Sequence, residues 1–371
     1  MIQERDGDPR MIQFRSQRFN VSLGAFTRPA ERKLYRLKDR NGMRIIMKGR
    51  NERQRASALR VGWEIYADPY ALCFDLSRWD AHCGEELMKL GHQVWLKMHA
   101  YDLELAELLE QQFKNRCHTY NGVRYGAPSG VMSGDMTTAC GNCLMCTLLV
   151  WGLIYWLEDQ HRREMNLTFF NDGDDHCIIG DRCDVELYGA AAEWWFSQCG
   201  HSLKVEGTTD TFNSILFCQS KPIYHHGTWE MMPDPRKVIS TAFMVPGRAD
   251  PDEHLSQVMW MRAIIHQGQP VLGPLFLRWA RKWRKPKEWD EVLFLSTRLK
   301  IDSRTEIRIR DVEEFSRDQM SLMFDILPDE QDEMESFDYR KPTPEDYTRV
   351  SSLFQMEQGA MAVSQHVRSY R

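Results

Sequence analysis

Asn171-Asp172-Gly173-Asp174-Asp175 sets three acids around one glycine, with Phe169-Phe170 before it and Cys177-Ile178-Ile179 after it. Two apolar runs joined by so short a polar link predict a β-hairpin with the acids at its tip. Adjacent carboxylates on a tight turn repel one another, and a divalent cation between them removes that repulsion, as Mg²⁺ does where phosphates are handled. The same residue types also make ordinary turns, so the tip alone is a candidate metal site and nothing more. Asp75 follows the apolar run Tyr70-Ala71-Leu72-Cys73-Phe74, which predicts a buried strand with Asp75 at its C-terminal edge and a turn that returns Asp80 beside it. Asp75 aimed at Asp174 and Asp175 would complete the three oxygen donors of a two-metal site.

Other elements must position this group. Residues 5–40 carry Arg10, Arg15, Arg18, Arg28, Arg32, Lys33 and Arg36 interleaved with Phe14, Phe19, Phe26 and Tyr35, a pattern that suits phosphate contacts. Pro9-Arg10-Met11-Ile12-Gln13 reads as a short strand delivering them, and Lys48-Gly49-Arg50-Asn51 forms a second basic element after Ile45-Ile46-Met47. Residues 85–113 read as mostly helical, and 126–135 as a glycine-rich loop that lets a backbone or nucleotide approach closely. Thr138 and Asn142 stand four apart, on one helix face, where a hydroxyl and an amide can read a sugar or serve as a cap and a core polar group. Residues 184–199 predict an amphipathic helix, and Ser202-Leu203-Lys204-Val205-Glu206 a strand carrying Lys204 near the cleft. Residues 214–219 and 222–225 read as another hairpin. From about Gly227 the chain becomes Trp-rich and helical, including 255–266 and 275–284, and after Pro328 it is acidic, then polar, and expected to be partly mobile.

The chain has 371 residues, 42% hydrophobic and 27% charged, enough for a large core or for subdomains sharing one cleft. A net charge of -5 excludes a globally basic nucleic-acid binder, so any polyanion site must be local. Ten cysteines without a small secreted frame or a signal peptide predict reduced thiols. Residues 136–157 are uncharged and long enough to span a membrane, but their threonines, glycine and asparagine favour a buried helix. Cys140, Cys143 and Cys146 within it have no partner group at ligand spacing and read as small packing residues.

In this order the pieces resemble the motifs of viral RNA-dependent RNA polymerases, most closely the tombusvirus-like ones of positive-strand RNA viruses, over roughly residues 5–225. The run from Pro9 to Asn20 resembles the basic fingers motif, Asp75-Leu76-Ser77-Arg78-Trp79-Asp80-Ala81-His82 the first palm motif, and Ser133 to Asn142 the second. Gly173-Asp174-Asp175 resembles the third, with Lys204 and Phe217-Cys218-Gln219-Ser220 where the fourth and fifth belong. Two features depart from the pattern. Asp172 adds a charge beside the acids, and the family carries a longer segment ahead of the basic motif, so a fragment or a readthrough or frameshift product is expected.

The resemblance implies an α+β right hand: an antiparallel palm sheet, a helical thumb, and fingers that are incomplete at the N-terminus. The expected divisions are fingers 1–65, palm 66–99, a fingers insertion 100–130, palm 131–225, and thumb with tail 226–371. It implies template-directed RNA synthesis with two Mg²⁺ ions, or Mn²⁺ in their place, on Asp75, Asp174 and Asp175, and Lys204 as proton donor to pyrophosphate. Arg10, Arg15, Arg18 and Lys48 would grip the triphosphate, and Asp80, Ser133, Thr138 and Asn142 would read the ribose. Implied partners are template and product RNA, ribonucleoside triphosphates and an upstream viral replication protein or extension, in the host cytoplasm with membrane contact only indirect. A noncatalytic RNA-binding or replicase-scaffold fragment and, more remotely, a reverse transcriptase or two-metal nuclease are the alternatives. The bulky residue that a reverse transcriptase normally has at Gly173 is missing, and a nuclease has no need of a ribose-reading loop.

Overall fold

The computed structural model describes residues 13–119, 122–127, 129–244, 250–283 and 310–336. Its first half runs α1 (Gln17–Leu34), α2 (Glu52–Trp63), β1 (Pro69–Ser77), α3 (Trp79–His82), α4 (Glu85–Met98), α5 (Leu103–Glu110), β2 (Asn115–His118), β3 (Arg124–Ala127) and α6 (Thr138–His161). It continues through β4 (Leu167–Asn171), β5 (Asp175–Asp181), α7 (Arg182–Gln198), β6 (Ser202–Thr209), β7 (Ser220–His225) and β8 (Thr228–Pro233). Helices α8 (Pro235–Ser240), α9 (Pro251–Ile265), α10 (Leu272–Ala280), α11 (Glu314–Phe324) and α12 (Pro328–Ser336) follow.

Four strands form the central antiparallel sheet in the order β4-β5-β1-β6. Because side chains alternate across a strand, each face collects its own apolar set. Leu72, Phe74, Leu76, Phe169 and Ile178 face α6 and α7, where they meet Val150, Leu153, Tyr188 and Phe196. The other face, with Ala71, Cys73, Phe170, Cys177 and Ile179, packs on Ala56, Leu59 and Trp63 of α2. Burying each of these large side chains contributes about 1.5–3 kcal/mol, which fixes the register that places the polar residues at the strand ends. Helix α6 is the core of the first layer: it is long and apolar enough to cross a membrane, yet 72% of its apolar window is buried inside the protein. Cys140, Cys143 and Cys146 are buried along it as packing residues.

Three expectations change. Strand β1 runs on to Ser77, so Asp75 lies within it and not at its edge, because Leu76 is buried in the same core as Phe74. The later hairpin is β7–β8: residues 212–214 form a 3-10 turn, and the reversal comes at His226 and Gly227, whose φ values of 48° and 76° suit a two-residue hairpin turn. The helical region therefore starts at Pro235 and not at Gly227. Residues 328–336 form α12, tied down by Gln331, whose Nε2 donates to the carbonyls of Arg317 and Ile326, and the rest of the expected mobile tail lies outside the described residues.

Candidate active site

The acid hairpin forms as its sequence predicts, and α6 anchors it. Asn171 Nδ2 donates to the Cys143 carbonyl at 2.8 Å and to Thr147 Oγ1 at 3.0 Å, while its Oδ1 accepts from the Gly173 amide at 2.7 Å. Gly173 has φ +102°, a conformation that a Cβ would strain, so the turn needs glycine here. The turn closes with the Asp172 amide on the Asp175 carbonyl at 3.0 Å.

Strand register then assembles the acids. Asp175 lies directly opposite Asp75, and Asp75 directly opposite Lys204, so the three residues form one row across β5, β1 and β6. Residues paired this way share a face, here the α2 side of the sheet. Burial and the charges of Asp174 and Asp75 push the Asp175 carboxyl up to about 7. Glu206 joins the group and escaped the sequence reading. Cys73 pairs with Gly207 and Phe74 with Val205, which leaves Glu206 as the extra residue of a β-bulge. Burial first and then Asp75 raise its carboxyl, against the opposing pull of Lys204 and Lys237. The one signal in the sequence is its spacing of two from Lys204, and a bulge cannot be read from spacing. These donors are hard oxygens crowded by their own repulsion, which fits Mg²⁺ or Mn²⁺ in kind. As the side chains stand, no three His, Cys, Asp or Glu among the described residues form a group that could hold a metal ion.

Asp172 is treated differently. It is 5% exposed, and Lys48 Nζ stands 2.5 Å from its Oδ1 and 3.0 Å from its carbonyl, while Arg55 pairs with its Oδ2. The charge that departs from the family pattern is thus neutralised from within the fold. Burial pulls the Lys48 ammonium down, but Asp172 more than offsets this and its affinity for a proton rises. Lys48, one of the triphosphate candidates, is held here as a partner of the tip. Arg55, missed in the sequence, sits on α2 in helical register behind the capping box of Asn51 and Gln54.

The sugar-reading candidates divide. Asn142 and Asp80 meet: Asn142 Nδ2 donates to Asp80 Oδ1 at 2.8 Å, and Asn142 Oδ1 is buried with no partner among the described residues. Thr138 is spent on the loop, its hydroxyl donating to the Met132 carbonyl at 2.6 Å. Ser133 is exposed on the same loop.

Among the triphosphate candidates, Arg15 is already engaged. Its Nε donates to Asp135 at 2.7 Å and an NH2 to Asn115 Oδ1 at 2.6 Å, within a network in which Gln112 Nε2 also reaches Asp135 and Thr137. Burial raises the Asp135 carboxyl and Arg15 draws it back. The segment docks by a backbone bridge from Phe14 to Gly134, where a Cβ would come within 2.4 Å of Phe14 Cβ. Arg15 therefore ties this segment to the glycine-rich loop. Arg18 is exposed on α1, and Arg10, with the strand expected at 9–13, lies outside the described residues except for Gln13.

Comparison with known proteins relates the chain to one group. A family profile described as "Viral RNA dependent RNA polymerase" matches residues 1–341. The RNA-directed RNA polymerase of Tobacco necrosis virus (strain A) is 30% identical over 341 residues, covering 90% of this chain and 46% of that protein. That of Melon necrotic spot virus is 30% identical over 356 residues, covering 92% of this chain and 44% of its own length. That of Tomato bushy stunt virus (strain Cherry) is 30% identical over 239 residues, covering 63% and 29%. The chain spans less than half the length of these relatives.

Proposed function

Because the chain belongs to the viral RNA-dependent RNA polymerase family, we propose that it extends an RNA 3′-hydroxyl with ribonucleoside triphosphates on an RNA template. The observation that carries this reading is the Asp175–Asp75–Lys204 row beside Asp174, in which the charges of Asp174 and Asp75 raise the Asp175 carboxyl and a lysine closes the row. In the reaction the 3′-oxygen bonds to the α-phosphorus, the bond to the β-phosphate oxygen breaks, and pyrophosphate leaves. Asp75, Asp174 and Asp175 would hold two Mg²⁺ or Mn²⁺ ions, which when bound supply Lewis-acid activation of the 3′-hydroxyl and neutralise the leaving charge. Lys204, exposed at the end of the row, holds a proton for the departing pyrophosphate, and the 3′-hydroxyl proton goes to water.

Asn142 and Asp80 orient the ribose. The orphaned Oδ1 of Asn142 accepts from the 2′-hydroxyl, the group that distinguishes RNA from DNA. Arg10 and Arg18 remain the triphosphate ligands in this reading, since Arg15 and Lys48 hold protein partners. In right-hand terms the β4-β5-β1-β6 sheet with α6 and α7 is the palm, α1, α2 and the β2–β3 hairpin belong to the fingers, and α8–α12 form the thumb. An upstream replication protein and membrane association through it belong to the same proposal.

The test is incorporation of labelled ribonucleotides on a primed RNA template, with Mg²⁺ or Mn²⁺, by this chain and by its Asp174→Ala variant. Template-dependent product that vanishes in the variant is the expected result. Silence from both proteins, also after an upstream segment is added and with RNA binding intact, would move the reading to a replicase scaffold.

A further inference from the structure

The acids at the hairpin tip are packed above a second charge group that the polymerase reading does not use. Lys48 and Arg55 bring two positive charges to the one negative charge of Asp172, so the group carries one surplus positive charge. It sits two residues before Asp174, on the turn itself, and Asp172 and the Arg55 side chain are almost fully removed from solvent. Opposite charges a few ångströms apart in such surroundings interact far more strongly than in water. The Lys48 ammonium also reaches the main chain of the turn, through the Asp172 carbonyl at 3.0 Å.

We propose that Lys48 and Arg55 are a built-in counter-charge for the acid hairpin: held on Asp172, they position the tip and offset the repulsion of Asp75, Asp174 and Asp175, so that the tip keeps its shape without a resident divalent cation. The inference rests on the reading of those three acids as the cation-binding group. Lys48 and Arg55 act through Asp172 and the turn, and are positioning residues. The arrangement leaves cation binding to be coupled to the arrival of substrate, since folding of the tip does not require it.

Thermal unfolding of the full chain in EDTA and in millimolar MgCl₂ tests this, because a merely structural contact loses the same stability in both. The parent chain is expected to melt at the same temperature in the two solutions. Lys48→Met and Arg55→Met melt lower in EDTA, and Mg²⁺ raises each by roughly 2–4 °C by occupying the uncompensated acids. Arg55→Lys keeps the charge and stays insensitive to Mg²⁺ whatever its melting temperature, and Asp172→Asn, which adds to the surplus, is insensitive as well. Should Arg55→Met fail to fold, Lys48→Met carries the test, its side chain being 27% exposed. Equal losses in EDTA and MgCl₂, or a parent chain that Mg²⁺ stabilises as much as it does Lys48→Met, would overturn the inference. Nucleotide incorporation is scored separately: a chain that stays inactive after an upstream segment is added, yet shows the expected Mg²⁺ pattern, sinks the polymerase reading and leaves the counter-charge standing, and an active chain without that pattern does the reverse.

Discussion

Asp172 and Asp174 stand two residues apart on one turn, and the fold treats them in opposite ways. Asp172 is buried and gripped by two cations. Asp174 is half-buried and raises the Asp175 carboxyl together with Asp75. On the polymerase reading, a charge that serves stability is paired, and a charge kept for a ligand stays in conflict with its neighbours. The contrast predicts that the two positions fail differently when mutated.

Asp174→Ala should give the largest effect. Nucleotide incorporation falls on the order of 10⁴-fold or more, as for other residues that act as one catalytic unit, while the melting temperature holds or rises because a repulsive charge has gone. A marked loss of stability would place Asp174 on the structural side of the contrast. Asp172→Ala should do the reverse. It strands the Arg55 guanidinium in a site with almost no solvent and takes the partner of the partly exposed Lys48, and breaking a buried pair in this way costs about 3–5 kcal/mol, readable by urea unfolding. A loss under about 1 kcal/mol, the range of exposed pairs, would erase the distinction.

Half of this contrast could be read before the structure was known. The hairpin follows from two apolar runs around Asp-Gly and α6 from an uncharged run of helical length, while Asp80 and Asn142, which meet, were grouped only by the family resemblance. The partners of Asp172 were out of reach, because Lys48 and Arg55 lie 124 and 117 residues away from it and only tertiary packing brings them in. Arg15 shows the same limit. A basic residue among aromatics reads as a phosphate ligand, yet Asp135, 120 residues on, already holds it. Glu206 needed a bulge, and the β7–β8 turn needed positive φ at His226, a residue type that does not announce it.

Acid also acts on buried groups well away from the tip. His266 lies far along the chain, between α9 and α10, buried and bonded to Gln269 through Nδ1 at 2.7 Å. Burial pushes its pKa down to about 4, from about 6.5 in an unfolded chain. A depressed folded pKa gives stability that is complete above pH ~6.5 and is lost as pH falls through about 4, because the unfolded chain takes up the proton first. The shift corresponds to on the order of 3 kcal/mol. Replacement of His266 by Gln should flatten the fall in unfolding free energy between pH ~6.5 and ~4, without moving the Mg²⁺ dependence of any tip variant. An unchanged slope would assign the acid sensitivity elsewhere.

The smallest effect tests whether an unsatisfied polar atom outside the acid group is also kept for a ligand. Asn142 Oδ1 is a buried acceptor without a partner among the described residues, a cost that a folded protein seldom carries unless a ligand supplies the donor. If a ribose 2′-hydroxyl is that donor, Asn142→Ala removes one hydrogen bond from ribonucleotides and none from deoxyribonucleotides. One such bond is worth about 1.4 kcal/mol, so preference for ribonucleotides should fall roughly tenfold. Asp80, which holds the amide at 2.8 Å, should then matter through orientation: Asp80→Asn keeps an acceptor for Asn142 Nδ2 and should cost less discrimination than Asp80→Ala. Unchanged discrimination in Asn142→Ala, measured as the ratio of kcat/KM for matched ribo- and deoxyribonucleotides, would return the Asp80–Asn142 bond to the role of a core tie between α3 and α6.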